Sequence, residues 1–301
     1  MSFKKGMKEF KGLTSRDFRV LLAIEAGMSA YKFVPTQTIE EYSSLPPSEA
    51  RLRLERVHQL KLIRRWTGQY IGYTLNSLGY DFLAMNALVK GSGIAGLGHS
   101  LGVGKEADVF EAITDSDTNV ALKFHRLGRV SFRQTKRHRD YSLRQDFWLF
   151  RSREAAGKEY EALKRLYEVG VSVPEPIAHN RHAIVMSMIQ GVKLSDFDRL
   201  PRPKFLLLKV LENVRKALDE TAIVHGDLSE FNVILEPDGR VLIIDWPQYV
   251  TQQHIEWKRL LLRDIRNIVT FFRRKHGVDL NPDEAVKMIV GKGRVKEIAI
   301  L

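Results

Sequence analysis

The sequence predicts an α+β fold in two domains, and three observations lead to this prediction. Residues 1–90 show the apolar periodicity of helices, interrupted by one pair of short strands. The stretch 90–98 contains four glycines in nine positions, which is typical of a boundary between domains. The remaining residues start with strand patterns and end with helix patterns. A chain of 301 residues can bury a core in each part, so we place domains at 1–91 and 92–301.

Cap and turn residues divide the first ninety residues into three helices, a hairpin and a further helix. The hairpin strands are expected at 62–67 and 70–75, with a two-residue turn between them. Three helices followed by a two-stranded wing are typical of a winged helix-turn-helix domain. The capping and turn residues are Thr14 or Ser15, Pro35, Ser48 after Pro46-Pro47, Gly68-Gln69, and Asn76.

The charge of the chain indicates a polyanionic partner, because 48 Lys and Arg against 36 Asp and Glu give a net charge of +12. The third helix of the N-terminal domain would read nucleic acid, and the wing would follow a phosphate backbone. The alternative is that these arginines are ordinary solvated charges, and we expect Trp66 on the wing to pack rather than to stack on a base. The candidate contact residues are Arg51, Arg56, Arg64 and Arg65.

The absence of cysteine excludes disulfides and thiolate metal sites. No apolar run approaches the ~20 residues that a membrane-spanning helix needs. We therefore expect a cytoplasmic protein that does not bind membranes. The sequence does not indicate an oligomeric state.

The segment 225–232 reads H-G-D-L-S-E-F-N, and Asp245 follows at the end of the next predicted hairpin. An acid and an amide five residues apart on a tight loop, followed by a second acid, form the metal and catalytic arrangement of kinase-type phosphoryl transfer. Asp227 is the candidate catalytic acid, while Asn232 and Asp245 would hold Mg²⁺. His225 is expected to be structural rather than to carry a proton.

Two earlier motifs predict an ATP site. Residues 120–123 read V-A-L-K, in which Lys123 would pair the nucleotide phosphates and Ala121 would leave room for the base. Residues 102–109 read G-V-G-K-E-A-D-V and approximate a glycine-rich phosphate loop, with Ala107 in place of the third glycine. The loop residues expected to contact nucleotide are Gly102, Val103, Gly104, Lys105, Glu106 and Val109.

The other parts of the predicted kinase-like domain are assigned from their positions in the sequence. Glu159 lies on the apolar stripe of a helix predicted at 152–169, so it needs a cation, and Lys123 is our choice. A competing interpretation places Glu159 in water at the edge of the stripe. We expect an N-lobe at 92–186, a hinge at 187–191 and a C-lobe at 192–301. The residues that would contact adenine are Met186, Met188 and Ile189.

The C-terminal part departs from ordinary protein kinases. Asp245-Trp246-Pro247 replaces D-F-G, and only 56 residues follow Asp245 (301 − 245). We therefore expect a reduced kinase-like domain without an activation loop or an extended peptide groove. Asp264 would either anchor the backbone of the catalytic loop or form a surface ion pair with Arg266.

With these motifs in this order, the whole chain resembles RIO-type atypical protein kinases of the subfamily with an N-terminal winged helix. The resemblance implies a factor in maturation of the small ribosomal subunit that binds pre-ribosomal RNA. It also implies Mg-ATP hydrolysis or serine autophosphorylation, with Mn²⁺ able to replace Mg²⁺ and with Asp245 able to take up phosphate transiently. Ser131 would be the autophosphorylation site, in a basic segment whose Lys136, Arg137 and Arg139 would contact RNA.

Two other functions are compatible with parts of the sequence. Antibiotic and choline kinases also carry H-G-D-x-x-x-x-N and I-D-W, which suggests a small-molecule phosphotransferase. A winged-helix nucleic-acid-binding regulator whose second domain senses ATP is the third hypothesis. The basic N-terminal domain argues against the small-molecule enzyme, and a preference between RNA and DNA would separate the other two.

Overall fold

The structure of the protein is a computed structural model that describes residues 6–127 and 143–298. The described residues mix helices and strands, which confirms the predicted α+β class. They fall into two compact units, one within Met1–Thr118, Leu122–Glu154 and His179–Ala183, the other within Asn119–Ala121, Ala155–Ala178 and Ile184–Leu301. Within the described ranges, no helix is long and apolar enough to cross a membrane.

The N-terminal part of the first unit contains the predicted winged-helix elements in the predicted order, together with a short first helix, Met7–Lys11, and a third strand, Val34–Pro35, that were not predicted. Its antiparallel sheet has the strand order β1-β3-β2, and Ile63 pairs with Leu75 while Thr67 pairs with Ile71. The wing loop is therefore three residues long, 68–70, and the predicted two-residue turn is wrong. The elements are α1 (Met7–Lys11), α2 (Ser15–Gly27), β1 (Val34–Pro35), α3 (Thr36–Ser43), α4 (Pro47–Gln59), β2 (Ile63–Thr67), β3 (Ile71–Leu75) and α5 (Ser77–Ser92).

The predicted cap at Thr14 is confirmed, and the predicted cap at Ser48 is wrong. Thr14 caps α2 through a capping box, because its hydroxyl accepts from the Asp17 N–H and the Asp17 carboxylate accepts from the Thr14 N–H at 2.8 Å. The predicted Ser48 cap is wrong, since α4 begins one residue earlier at Pro47 without a side-chain cap. Proline suits the first helical position because its backbone is already fixed near helical geometry.

The glycine-rich stretch 90–98 contains the end of one helix and the start of the next strand. Helix α5 continues through Ser92, and Gly93 alone takes a left-handed conformation (φ +61°) before the next strand begins. Strands β4 to β8 form one five-stranded sheet with the order β4-β5-β6-β8-β7. The elements are β4 (Ile94–Val103), β5 (Ala107–Thr114), β6 (Asn119–His125), α6 (Leu143–Glu168), β7 (Pro176–Asn180) and β8 (Ala183–Ser187).

The second unit is mainly helical around a core of leucine, isoleucine and valine from α6 to α9. Two small antiparallel sheets, with strand orders β12-β11-β9 and β10-β13, carry the loops that hold the candidate catalytic residues. Residues 246–256 connect Asp245 to the next helix, in place of an activation loop. The elements are β9 (Val192–Lys193), α7 (Pro203–Thr221), β10 (Ile223–Val224), β11 (Val233–Leu235), β12 (Val241–Ile243), β13 (Val250–Thr251), α8 (Trp257–His276) and α9 (Pro282–Ile298).

The start of α5 packs directly on the backbone that leads into the wing. Asn76 caps the helix by accepting the Gly79 N–H at 3.0 Å, and its side-chain amide donates to the Lys61 carbonyl at 2.6 Å. A Cβ at Gly79 would lie 2.2 Å from the Leu62 carbonyl oxygen, a distance too short for a carbon–oxygen contact between non-bonded atoms. Glycine is therefore required here by packing, although it lowers helix propensity.

We expect Gly79→Ala to lower the free energy of unfolding by about 1–3 kcal/mol, because the added methyl must displace backbone rather than a flexible side chain. At Gly91, in the last turn of the same helix, an added Cβ would have no other atom within 4 Å. Gly91→Ala should therefore leave stability unchanged or raise it by up to about 1 kcal/mol. Thermal denaturation of both variants measures this, and equal stability of the two would contradict the packing argument.

Candidate nucleotide and magnesium site

His225, in its neutral form, holds the catalytic loop in place. Its Nδ1 accepts the Asp227 backbone N–H at 3.2 Å, while Nε2 donates to the Ile244 carbonyl at 3.0 Å. Burial lowers the pKa of His225, which keeps the ring neutral with one donor and one acceptor in use. Both ring nitrogens therefore form hydrogen bonds with backbone groups on either side of the site, which agrees with the structural role expected of His225.

Asp264, at 1% exposed, anchors the backbone of the same loop from helix α8. Its carboxylate accepts the N–H of Gly226 at 2.7 Å and that of Leu228 at 3.1 Å. The alternative surface pair with Arg266 does not form, since Arg266 instead lies 3.9 Å from Asp283. Burial raises the pKa of Asp264 to about 6, although the two backbone hydrogen bonds oppose that shift.

Two residues of the site have left-handed backbone conformations. Gly226 has φ +80°, and a Cβ there would lie 2.7 Å from the Gln248 carbonyl oxygen, so only glycine suits this position. Asp245 has φ +68°, which is costly for a residue with a side chain. Such strain persists where the surroundings determine the conformation, and it is common at functional sites.

Asn232 and Asp245 lie at the same end of the hairpin formed by β11 and β12. Val233 pairs with Ile243, and the Ile244 N–H donates to the Asn232 carbonyl at 2.9 Å. The Asn232 side-chain amide donates to the Asp227 carbonyl at 2.9 Å, which leaves its Oδ1 as an acceptor. The structure thus places the Asp227 backbone beside the Asn232 side chain, and Asn232 and Asp245 at one end of the hairpin; their catalytic and metal-binding roles stay predictions.

The donor set of this hairpin end suits Mg²⁺, which prefers oxygen ligands. Asn232 and Asp245 would hold the ion by one amide oxygen and one carboxylate. No group of three or more His, Cys, Asp or Glu able to hold a metal occurs among residues 6–127 and 143–298. Mg²⁺ commonly completes its shell with water and phosphate oxygens rather than with protein ligands alone.

Trp246 fixes the turn that replaces D-F-G. Its side chain is buried, its Nε1–H donates to the Ile243 carbonyl at 3.0 Å, and its ring lies 4.4 Å from the His225 ring. The tryptophan therefore joins the strand before Asp245 to the histidine of the catalytic loop.

The glycine-containing loop is the turn of a β-hairpin in the first unit. Gly102 pairs with Val109 in the register of β4 and β5, and the Gly104 N–H donates to the Ala107 carbonyl at 2.8 Å. The tip is exposed, including Lys105 and 70% of Val103. A nucleotide phosphate can therefore reach the backbone of this turn.

Lys123 and Ala121 lie in β6, and both are buried. Glu159 is only 1% exposed, so the interpretation that places it in water at the stripe's edge is wrong. Its helix, α6, begins at Leu143 rather than at the predicted residue 152. Met186 is buried, and Met188 and Ile189 are half-buried. The Lys123–Glu159 pair and the adenine contacts stay predictions.

Sequence reasoning missed a buried charged cluster in the first unit. Asp81, Asp108, Arg126 and His182 are each at most 5% exposed and hydrogen-bond to one another. One signal was available, because Asp81 shares a helical face of α5 with apolar residues. Those residues are Leu78, Met85 and Leu88.

The candidate nucleic-acid residues differ in their surroundings. Arg51 pairs with Glu40 at 2.8 Å, and Arg56 lies 3.3 Å from Asp17 and donates to the Gly12 carbonyl. The arginines of α4 are therefore engaged within the domain.

On the wing strand β2, Arg64 and Arg65 are exposed to solvent, as is Arg51 on α4. Trp66 packs as expected, stacked on Phe33 with ring centroids 5.8 Å apart and edge-on to Tyr70 at 5.0 Å. Ser131, Lys136, Arg137 and Arg139 lie outside the described residues.

Comparison with known proteins assigns both parts of the chain. Residues 108–285 match the model of the RIO domain, and residues 10–91 match that of the Rio2 N-terminal domain. The chain is 37% identical over 270 residues to a serine/threonine-protein kinase rio2 of Dictyostelium discoideum, covering 89% of this chain and 52% of that protein. The chain thus spans about half the length of that relative.

An archaeal relative and a solved structure match over nearly their whole lengths. A RIO-type serine/threonine-protein kinase Rio2 of Methanocaldococcus jannaschii is 39% identical over 82% of this chain and 92% of its own length. The crystal structure of a Rio2 kinase–ADP/Mg²⁺–phosphoaspartate complex from Chaetomium thermophilum is 31% identical, with a TM-score of 0.83 over 97% of this chain and 92% of that chain. By these matches, the chain belongs to the Rio2 family of RIO-type kinases.

Proposed function

We propose that the protein is a Mg-ATP-dependent atypical serine protein kinase and ATPase. The observation that carries the proposal is the convergence of Asp227, Asn232 and Asp245 at one end of the β11–β12 hairpin. The complex of the Chaetomium thermophilum relative with ADP, Mg²⁺ and phosphoaspartate supports the same chemistry and the same cofactors. This function explains why backbone strain is kept at Asp245.

Each residue of the site has a proposed role in phosphoryl transfer. Asp227 orients the attacking hydroxyl or water and accepts its proton, while Lys123 pairs the phosphates. Asn232 and Asp245 would hold Mg²⁺, which when bound would neutralise charge on the phosphate oxygens. Catalysis in this class depends on positioning and electrostatics, so a rigid loop contributes directly to rate.

We also propose that Asp245 accepts the γ-phosphoryl group transiently. Its carboxylate oxygen would form a bond to phosphorus as the bond to the ADP oxygen breaks, and water would later release phosphate. The phosphoaspartate in the related complex supports this step. Ser131 is the proposed site of autophosphorylation by the same enzyme.

The proposed partner is pre-ribosomal RNA in maturing small ribosomal subunits, in the cytoplasm, with ATP turnover timing release. The net charge of +12 and the exposed arginines of the wing support a polyanionic partner. Lys136, Arg137 and Arg139 are proposed to add contacts from the basic segment. An ATP-dependent enzyme with such a surface can couple nucleotide state to RNA affinity.

Asp227→Asn should lower ATP turnover by at least about a hundredfold, because the amide cannot accept a proton, while Mg-ADP affinity stays near that of the wild type. Phosphate release and calorimetric titration measure the two quantities. Asp238→Asn, an acid in the turn at the far end of the same hairpin, is the control and should change neither. Hydrolysis that persists in Asp227→Asn would remove this residue from the mechanism.

At acidic pH, the rate of ATP turnover should fall as Asp264 takes up a proton, because the pKa of Asp264 is raised to about 6. Below that pH the carboxyl takes up a proton and can no longer accept both backbone N–H groups, so activity falls. Because folding raises the pKa of Asp264, protonation of this residue stabilises the folded state. Protonation of Asp264 therefore does not lower activity by unfolding the protein.

Asp264→Asn should reduce turnover about tenfold at pH 7.5 and should flatten the step near pH 6, since the amide cannot accept from both N–H groups. The measurement is a pH–rate profile of both proteins, with circular dichroism at each pH as the control. A step that remains in the variant would assign it to another group.

The wing should contribute more to RNA binding than helix α4. We expect the double variant Arg64→Ala/Arg65→Ala to weaken binding of a small-subunit ribosomal RNA fragment and to reduce the slope of log K against log salt by roughly two. Arg51→Ala, which removes an arginine paired with Glu40, is the matched control and should have a smaller effect. Equal competition by duplex DNA of the same length would indicate charge binding without RNA preference.

A further inference from the structure

The buried charged cluster of Asp81, Asp108, Arg126 and His182 takes no part in the chemistry described above. Its members come from three places in the first unit: helix α5, the glycine-loop hairpin, and the ends of strands in the five-stranded sheet. Buried ionic groups are expensive unless they are fully paired. Buried ionic groups that join the winged-helix part to the loop 102–109 are therefore candidates for a functional role.

Arg126 contacts both the winged-helix part and the loop. Its two terminal nitrogens donate to the two carboxylate oxygens of Asp81 at 2.5 and 2.9 Å, as a fork. Its Nε donates to Asp108 Oδ2 at 2.9 Å. Its backbone N–H donates to the Glu106 carbonyl at 2.5 Å. One residue therefore holds the loop at two points while it is itself held by α5.

The charges in the cluster make this arrangement rigid. Burial lowers the pKa of His182 to about 4, so the ring is neutral at pH 7 and its Nε2–H donates to Asp81 Oδ1 at 2.8 Å. Burial alone would raise the pKa of Asp81, but Arg126 and His182 outweigh it and lower that pKa, so Asp81 stays ionised. Three donors from Arg126 and His182 thus converge on one carboxylate.

The loop is the end of the β4–β5 hairpin, where Gly102 pairs with Val109 and Val103 with Asp108. A Cβ at Gly102 would meet no atom within 4 Å, and the tip residue Lys105 is exposed. The turn is closed by the hydrogen bond from Gly104 to Ala107. On the C-terminal side of the turn, Glu106 and Asp108 both accept hydrogen bonds from Arg126, and these bonds fix the position of the turn relative to the sheet.

We propose that Asp81 is a positioning residue for nucleotide binding, which acts through Arg126 on the loop 102–109. The inference rests on the proposed function, in that the loop must contact nucleotide phosphates. It makes the winged-helix part a component of the ATP-binding machinery, in addition to any role in contacting nucleic acid.

A second ion pair in the same unit provides a matched control. Arg181, in the turn between β7 and β8, donates to both carboxylate oxygens of Glu25 in α2 at 2.8 and 2.5 Å. Its other described hydrogen bonds go to Leu83 and Asn180. This pair is also bidentate, through Nε and one terminal nitrogen of Arg181, and it also joins the winged-helix part to the sheet, but it does not bind the loop.

The test compares Asp81→Asn, Asp108→Asn and Glu25→Gln with the wild type in the full chain. Calorimetric titration gives the Kd for Mg-ADP and for adenosine, and thermal denaturation gives the Tm. Asp81→Asn and Asp108→Asn should each weaken Mg-ADP binding about tenfold, the effect of one charge-assisted hydrogen bond, and change adenosine binding less than about twofold. Glu25→Gln should lower the Tm and leave both Kd values unchanged.

Several results would overturn the proposal. They are unchanged Mg-ADP affinity in Asp81→Asn, equal weakening in Glu25→Gln, or equal losses for Mg-ADP and adenosine. If Asp81→Asn does not fold, Asp108→Asn, which keeps the Asp81–Arg126 pair, decides by the same criteria. A wild-type chain that binds adenosine but not Mg-ADP would overturn the proposed function itself, whereas tight wild-type binding with unaffected variants would overturn only the positioning role.

Discussion

The candidate site depends on the two backbone N–H groups that donate to the buried carboxylate of Asp264. The loop from His225 to Asn232 has little regular structure, so without this anchor its backbone would be free to move. The same two bonds fix Gly226 in its left-handed conformation and direct the chain so that Asp227 follows at the surface of the core. Catalysis by positioning requires this rigidity, because small displacements of a catalytic group cost large factors in rate.

A second set of constraints couples the loop to the metal-binding end of the hairpin. His225 hydrogen-bonds to Asp227 on one side and to Ile244 on the other, and the Asn232 side chain bonds to the Asp227 carbonyl. These contacts are local in the structure although they span about twenty residues of sequence. They explain how a small C-terminal unit without an activation loop keeps a defined site.

Much of the site could be predicted because its residues are close in sequence. Asp227, Asn232 and Asp245 lie on one loop and one hairpin, so spacing alone determines their proximity. The Asp81–Arg126 pair could not be predicted in this way, because 45 residues separate its members and only packing brings them together. The ends of helices were less predictable: the helix predicted at 152–169 begins at Leu143 in the structure.

The winged-helix part and the nucleotide loop share one compact unit and one buried cluster of charges. In a protein proposed to bind RNA and to hydrolyse ATP, such a shared structure gives a physical route for coupling the two ligands. Coupling of this kind is reciprocal, since a ligand that stabilises one arrangement of the cluster favours the other ligand that needs it.

The most direct test of the central claim is a crystal structure of the full chain grown with Mg²⁺ and a non-hydrolysable ATP analogue. The account predicts one ion bound by the Asn232 Oδ1 and the Asp245 carboxylate, with phosphate oxygens completing its shell at about 2.1 Å. An ion bound elsewhere, with Asn232 and Asp245 turned away from each other, would contradict the account.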